Sequence, residues 1–122
     1  MFTIEKEFKF EAAHSLSGLP GDHPCSRVHG HSYRVQLILE KKEVDQKIGF
    51  VRDYRELDKV KKFIEEKMDH RNLNEVFSFN PTAELLAREL FHIFKRDFEE
   101  LVSVGVSETA KTWAYYQDDW RG

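Results

Sequence analysis

Apolar and polar residues alternate along residues 2–14. Phe2, Ile4, Phe8, Phe10, Ala12 and His14 share one parity, and Thr3, Glu5, Glu7, Lys9 and Glu11 share the other. A period of two with a charged outer face predicts a half-buried strand. Lys6 is the intruder on its apolar side, and His14 closes that side. The alternation returns over residues 29–40, where His29, His31, Tyr33, Val35, Leu37 and Leu39 oppose Ser32, Arg34, Gln36 and Glu40, with Ile38 out of phase. This predicts a second strand, antiparallel to the first. Residues 15–28 between them are rich in Ser, Gly, Pro, Asp and His, the composition of a loop. The loop is too long for a tight hairpin and is expected to carry function.

The period then changes. Leu57, Val60, Ile64 and Met68 recur at helical spacing behind a start at Asp53, with Glu56 placed to complete a capping box. Asp69-His70-Arg-Asn-Leu-Asn74 reads as a polar turn. Asn80-Pro81-Thr82-Ala-Glu84 opens a second helix with an apolar stripe of Leu86, Leu90, Ile93 and Phe94. Val102, Val104, Val106 and Glu108 alternate with Ser103, Gly105 and Ser107 as a third strand, and residues 111–117 form a fourth. The order ββααββ predicts an α+β fold, a four-stranded, mostly antiparallel sheet with two helices on one face. Its open edges predict a homo-oligomer.

Composition narrows the class. The 122 residues are the length of one domain spanning 1–122. Hydrophobic residues make up 40% and charged ones 34%, an ordinary globular balance. The net charge is −3 with no basic block, which argues against a nucleic-acid partner. No apolar run approaches the ~20 residues of a membrane span. The first residues alternate charged and apolar side chains, so no signal peptide is expected. A single cysteine forms no internal disulfide and fits a reducing, cytoplasmic setting.

The densest chemistry lies in Cys25-Ser-Arg-Val-His29-Gly-His31-Ser-Tyr33. Residues i and i+2 of a strand point the same way, so His29 and His31 project from one face ~7 Å apart at a rise of ~3.3 Å per residue. His14 ends the neighbouring strand on its own apolar side, so pairing of the two strands lets all three imidazoles converge. Three histidines with one open position are the ligand set of a catalytic zinc, whereas Cys25 as a further ligand would close the site. The competing reading is three unrelated core histidines. Their shared dry faces stand against it, because an unpartnered imidazole is costly there. Cys25 beside a cation would be a thiolate nucleophile or base, and otherwise an inert small hydrophobe. Asp69 next to His70 suits proton transfer, or simply places a histidine near a helix C-terminus. Glu108 continues an apolar parity and needs a partner, either a ligand with a fork of N–H donors or a Lys or Arg.

Six motifs occur in order: Phe10-Glu-Ala-Ala-His14, Cys25-x-x-x-His29-Gly-His31-Ser-Tyr33, Gly49-Phe-Val-x-Asp53-Tyr54, Met68-Asp69-His70-x-x-Leu73-Asn74, Asn80-Pro81-Thr82-x-Glu84 and Glu108-Thr109. Together they resemble the 6-pyruvoyltetrahydropterin synthase family of the tunnelling fold over nearly the whole chain. The resemblance implies Zn2+ on His14, His29 and His31, and Cys25 as catalytic thiolate. It implies Asp69 and His70 as a proton-relay pair reaching a neighbouring subunit's site, and Glu108 as the pterin anchor. Thr82 and Glu84 match a second pterin-pocket motif, and His23 and Arg27 are candidate triphosphate contacts. The implied assembly is a hexamer of two stacked trimers whose sheets close into barrels.

The three residues between Cys25 and His29 resemble the 6-carboxytetrahydropterin synthases of the queuosine pathway; tetrahydrobiopterin-type enzymes usually carry a longer insert. The implied reaction is a zinc-dependent lyase conversion of 7,8-dihydroneopterin triphosphate to 6-carboxytetrahydropterin, acetaldehyde and triphosphate. The alternatives are a 6-pyruvoyltetrahydropterin synthase, which eliminates triphosphate without cleaving the side chain, a non-catalytic zinc- or pterin-binding module, and a metal-free Cys-His-Asp hydrolase. Met68 replaces a more usual Leu, a volume-conserving exchange. Trp113-Ala-Tyr115 is bulkier than the family pattern leads one to expect.

Overall fold

Two long strands form the spine of the structure, a computed structural model that describes residues 1–118. β1 (Phe2–His14) and β2 (His29–Lys41) pair antiparallel in unbroken register, from Phe2 opposite Lys41 to His14 opposite His29. β4 (Leu101–Thr109) pairs with β2, and β5 (Thr112–Gln117) with β4, both antiparallel. Phe8, Phe10 and Ala12 of β1 and Tyr33, Val35, Leu37 and Leu39 of β2 are buried, as their parity requires. Lys6 stays on the apolar side by holding its ammonium 5.7 Å from the Phe8 ring centroid.

The helices α1 (Asp58–Lys67) and α3 (Ala83–Lys95) cover this face with Val60, Ile64, Leu86, Leu90, Phe91 and Phe94, which join the strand residues in one core. The first turn after Asp53 is a 3-10 turn, Tyr54–Leu57, and the α-helix begins only at Asp58. Asp53 does cap it, accepting from the Arg55 N–H at 2.9 Å. The expected capping box does not close, because Glu56 is drawn away by an ion pair with Arg52.

The four-stranded sheet needs correction. With β3 (Arg71–Asn72) the sheet has five strands, in the order β3-β1-β2-β4-β5, and the helices number three among the described residues. β3 runs parallel to β1 opposite Ala12 and Ala13, and the single-turn α2 (Leu73–Val76) follows it. Both lie in the segment read as a polar turn. Two residues are too short to show a period of two, so only the edge of β1 reveals them as a strand. The opposite sheet face has its own cover: the Trp113 and Tyr115 rings stack at 5.9 Å, and a Cβ on Gly105 would sit 2.5 Å from the Tyr115 ring. Gly105 is thus the residue that lets this aromatic pair lie against the sheet, where the Tyr115 hydroxyl donates to Gln36 Oε1 at 3.0 Å.

Candidate active site

Strand register brings the histidines together. His14 and His29 are direct cross-strand partners, and His31 follows two residues along on the same face. One ring nitrogen from each of the three lies within 4.8 Å of the others. The ring centroids are 4.6, 5.0 and 4.8 Å apart, with interplanar angles of 64°, 84° and 88°, so the imidazoles form the walls of a small cup.

The hydrogen bonds define what the cup holds. His14 Nδ1–H donates to the Pro81 carbonyl at 2.7 Å, and His29 Nδ1–H to the Arg27 carbonyl at 2.8 Å. A carbonyl only accepts, so in each neutral ring the proton sits on Nδ1 and Nε2 is a bare lone pair. Yet His14 Nε2 and His29 Nε2 lie 3.0 Å apart. Two acceptors cannot satisfy each other at that distance; a cation between them can. His31 Nε2 is likewise buried with no hydrogen-bond partner. Burial is the main cause lowering the His31 pKa; the Glu108 carboxylate opposes it, and His14 and His29 add to it. Inward lone pairs, with two outward nitrogens tied to backbone carbonyls, are the donor arrangement of a metal site.

Glu108 stands at the rim with Oε2 3.5 Å from His31 Nε2. Among the described residues no Lys or Arg ion pair to it occurs. Tyr33 was legible only as a core residue, yet its ring packs edge-on against His14 and His31 at 5.8 and 5.4 Å. Its hydroxyl is buried without a hydrogen-bond partner, and burial first, then Glu108, pushes its pKa well above the usual range.

Cys25 lies apart from the cup's ligand set, in the 3-10 turn Pro24–Ser26. His23 caps this turn, its Nδ1 accepting from the Cys25 N–H at 3.1 Å. Arg27 is exposed and serves the cup through its backbone carbonyl. Thr82 caps α3, accepting from the Leu85 N–H at 3.1 Å, and Glu84 is exposed in the first turn of that helix.

Asp69 and His70 are held at the β1 edge. Asp69 Oδ1 accepts from the Glu11 N–H at 2.9 Å, and the His70 N–H donates to the Glu11 carbonyl at 2.6 Å. Asp69 Oδ2 is 3.6 Å from His70 Nε2, and the His70 side chain is 78% exposed. The backbone of His70 is left-handed, φ 59°, a conformation that non-glycine residues rarely adopt. His70 lines a groove of about 550 Å³ whose other lining residues include Glu11, Ala13, Ser32 and the cup residue His31. Glu11, Ala13 and Ser32 alternate with Ala12, His14, His29 and His31 along β1 and β2, so their side chains point to the opposite sheet face.

The sequence profile of the 6-pyruvoyl tetrahydropterin synthase family matches residues 3–119. The chain belongs to this family. Among its relatives, the 6-carboxy-5,6,7,8-tetrahydropterin synthase of Haemophilus influenzae is 32% identical, covering 97% of this chain and 100% of its own length. The protein of the same name from Synechocystis sp. is 34% identical over 95% of this chain and 93% of its own. The fold is that of the Caenorhabditis elegans 6-pyruvoyl tetrahydropterin synthase structure, with a TM-score of 0.84, 29% identity, and 97% and 96% of the two chains covered. The chain is thus a pterin synthase family member with a three-histidine cup able to bind a metal ion. No helix among the described residues is long and apolar enough to cross a membrane.

Proposed function

We propose that the chain is a zinc-dependent 6-carboxy-5,6,7,8-tetrahydropterin synthase, a cytoplasmic lyase that takes 7,8-dihydroneopterin triphosphate and water to 6-carboxytetrahydropterin, acetaldehyde and triphosphate. The observation that carries this reading is the cup of His14, His29 and His31: the Nε2 lone pairs of His14 and His29 face each other without a proton to share, and a ring nitrogen of His31 lies within 4.8 Å of them. Neutral imidazoles held by outer carbonyls suit zinc. Two relatives named for the 6-carboxy product align over most of the chain.

Bound zinc supplies Lewis acidity toward the side-chain oxygens of the substrate. Glu108, at the rim, accepts from the amino and ring N–H groups of the pterin, with Thr82 and Glu84 bordering the pocket and Arg27 adding charge for the triphosphate. Cys25 moves a proton on one side of the substrate side chain, and His70, oriented by Asp69, moves one on the other. Triphosphate leaves as the ring is reduced and its attached side-chain carbon is oxidised, so no external reductant enters. Water then cleaves the adjacent C–C bond and releases acetaldehyde.

Asp69 and His70 serve the cup of a neighbouring subunit in a hexamer of two trimers. Two features support this. The His70 imidazole stands 78% exposed at the β1 edge, open to another copy. Neither β5 nor residues 2–10 of β1 has a strand partner on its outer side among the described residues, which leaves edges for another copy to cover.

Mass spectrometry of the products formed by the zinc-loaded protein from 7,8-dihydroneopterin triphosphate tests the reading. The expected products are 6-carboxytetrahydropterin and acetaldehyde. A 6-pyruvoyl product without acetaldehyde would overturn the 6-carboxy assignment in favour of the pyruvoyl-forming reaction. Binding without turnover would make the chain a pterin-binding module. Full activity after chelation would remove the metal from the mechanism.

A further inference from the structure

The chain leaving β1 does not lose its hydrogen bonds when the strand ends. Ser15 N–H donates to Asn74 Oδ1 at 2.8 Å, and Asn74 Nδ2 returns a bond to the Ser15 carbonyl at 2.9 Å. Two residues on, Ser17 N–H donates to Asn80 Oδ1 at 3.0 Å, and Asn80 Nδ2 to the Ser17 carbonyl at 3.2 Å. The residue between them bonds the other way, Leu16 N–H donating to the Cys25 carbonyl at 2.8 Å. Odd residues bonded to one side and the even residue to the other is the pattern of a central β-strand. A primary amide carries the same donor and acceptor as a peptide group. Two asparagine side chains therefore take the place of a neighbouring strand, where β3 has already ended.

The consequence falls on the loop. His14 is anchored to the Pro81 carbonyl, Ser15 and Ser17 to Asn74 and Asn80, and Leu16 to Cys25. The residue before this clamped run is a cup histidine, and the residue registered against its middle is the cysteine. The partners that fix it come from residues 74–81, on a separate stretch of chain.

We propose that Asn74 and Asn80 are positioning residues, a two-amide clip that sets the place of Cys25 relative to the His14, His29 and His31 cup. The inference rests on the reading above in which Cys25 moves a proton for the reaction. Neither asparagine touches substrate or metal in it; both act through the backbone of Ser15–Ser17.

Asn74→Asp and Asn80→Asp test it. A carboxylate keeps the acceptor for the serine N–H but loses the donor, and sets an oxygen against the serine carbonyl. The chain has a single cysteine, so the alkylation rate of the thiol by iodoacetamide reports Cys25 alone. Both variants are expected to bind metal as the wild type does, to alkylate several-fold faster, and to lose up to ~10²-fold in kcat with KM unchanged, as a misplaced group does. A merely stabilising role would move the melting temperature and leave the alkylation rate of the folded protein alone. Wild-type alkylation and turnover in both variants would overturn the proposal. Because a variant could fail to fold, amide exchange in the wild type gives a separate test: protection at Ser15, Leu16 and Ser17 comparable to β1 supports the clip, and exchange at the rate of a free loop overturns it. Cys25→Ser separates the two readings. Full turnover in Cys25→Ser would sink the proton role of the thiol, whereas a silent pair of asparagine variants beside an inactive Cys25→Ser would sink the clip alone.

Discussion

Two histidine-bearing corners of the sheet differ in almost every physical respect. The cup of His14, His29 and His31 lies on the helix-covered face, with His14 fully buried and two rings tethered through Nδ1 to backbone carbonyls. His70, at the β1 edge, has a fixed backbone and an exposed side chain: its N–H is bonded, its φ is left-handed, and its imidazole stands 78% exposed. The first corner is assembled within one chain and could hold a metal ion. The second presents a positioned, exposed group on the rim of a groove that it shares with Glu11, Ala13, Ser32 and His31. The contrast teaches that burial and tethering hold a ring's nitrogens in place, whereas a strained backbone under an exposed side chain positions the group only at its root.

The largest effect expected from breaking this contrast is at the cup. His29→Ala should strip the metal, a loss beyond the ~10–100-fold that removing an outer-shell partner brings. Metal analysis of the purified variant reads it, and full occupancy would refute the three-histidine site. Next comes the division between chains. Cys25→Ala and His70→Ala should each lower turnover ~10²–10⁴-fold, the range for a lost proton-transfer group. Reassembled as mixed oligomers they should regain activity, because some sites then receive an intact cysteine from one chain and an intact His70 from another. Mixed oligomers verified by native mass spectrometry that stay inactive would place the whole site within one chain. The smallest effect isolates the strain at His70. His70→Gly should be more stable than His70→Ala by ~1 kcal/mol, since glycine adopts the left-handed conformation without a Cβ penalty. Urea denaturation measures the difference, and equal stabilities would mean that the backbone there carries no strain.

Much of the cup was legible in the sequence. The parity of residues 2–14 and of 29–40 put His14, His29 and His31 on apolar faces of neighbouring strands, and the antiparallel register set His14 directly across from His29. The strands, the two long helices and Glu108 at the end of an apolar parity came from the same periodicity. Asn74 and Asn80 stood in recognisable motifs, but nothing local said that their amides would extend the sheet beyond β1.

What the sequence determined by itself is what repeats along it. A period of two or 3.6 assigns faces, because each side chain's direction follows from its neighbours'. The tertiary structure alone decided the contacts that have no period. The Pro81 carbonyl that fixes the His14 tautomer lies 67 residues away, and the Glu11 backbone that holds Asp69 lies 58 away. The two residues of β3 become a strand only because the edge of β1 offers them unpaired backbone groups. Such partners are chosen by where the folded chain brings a lone donor or acceptor that must be satisfied, and no local pattern records that choice.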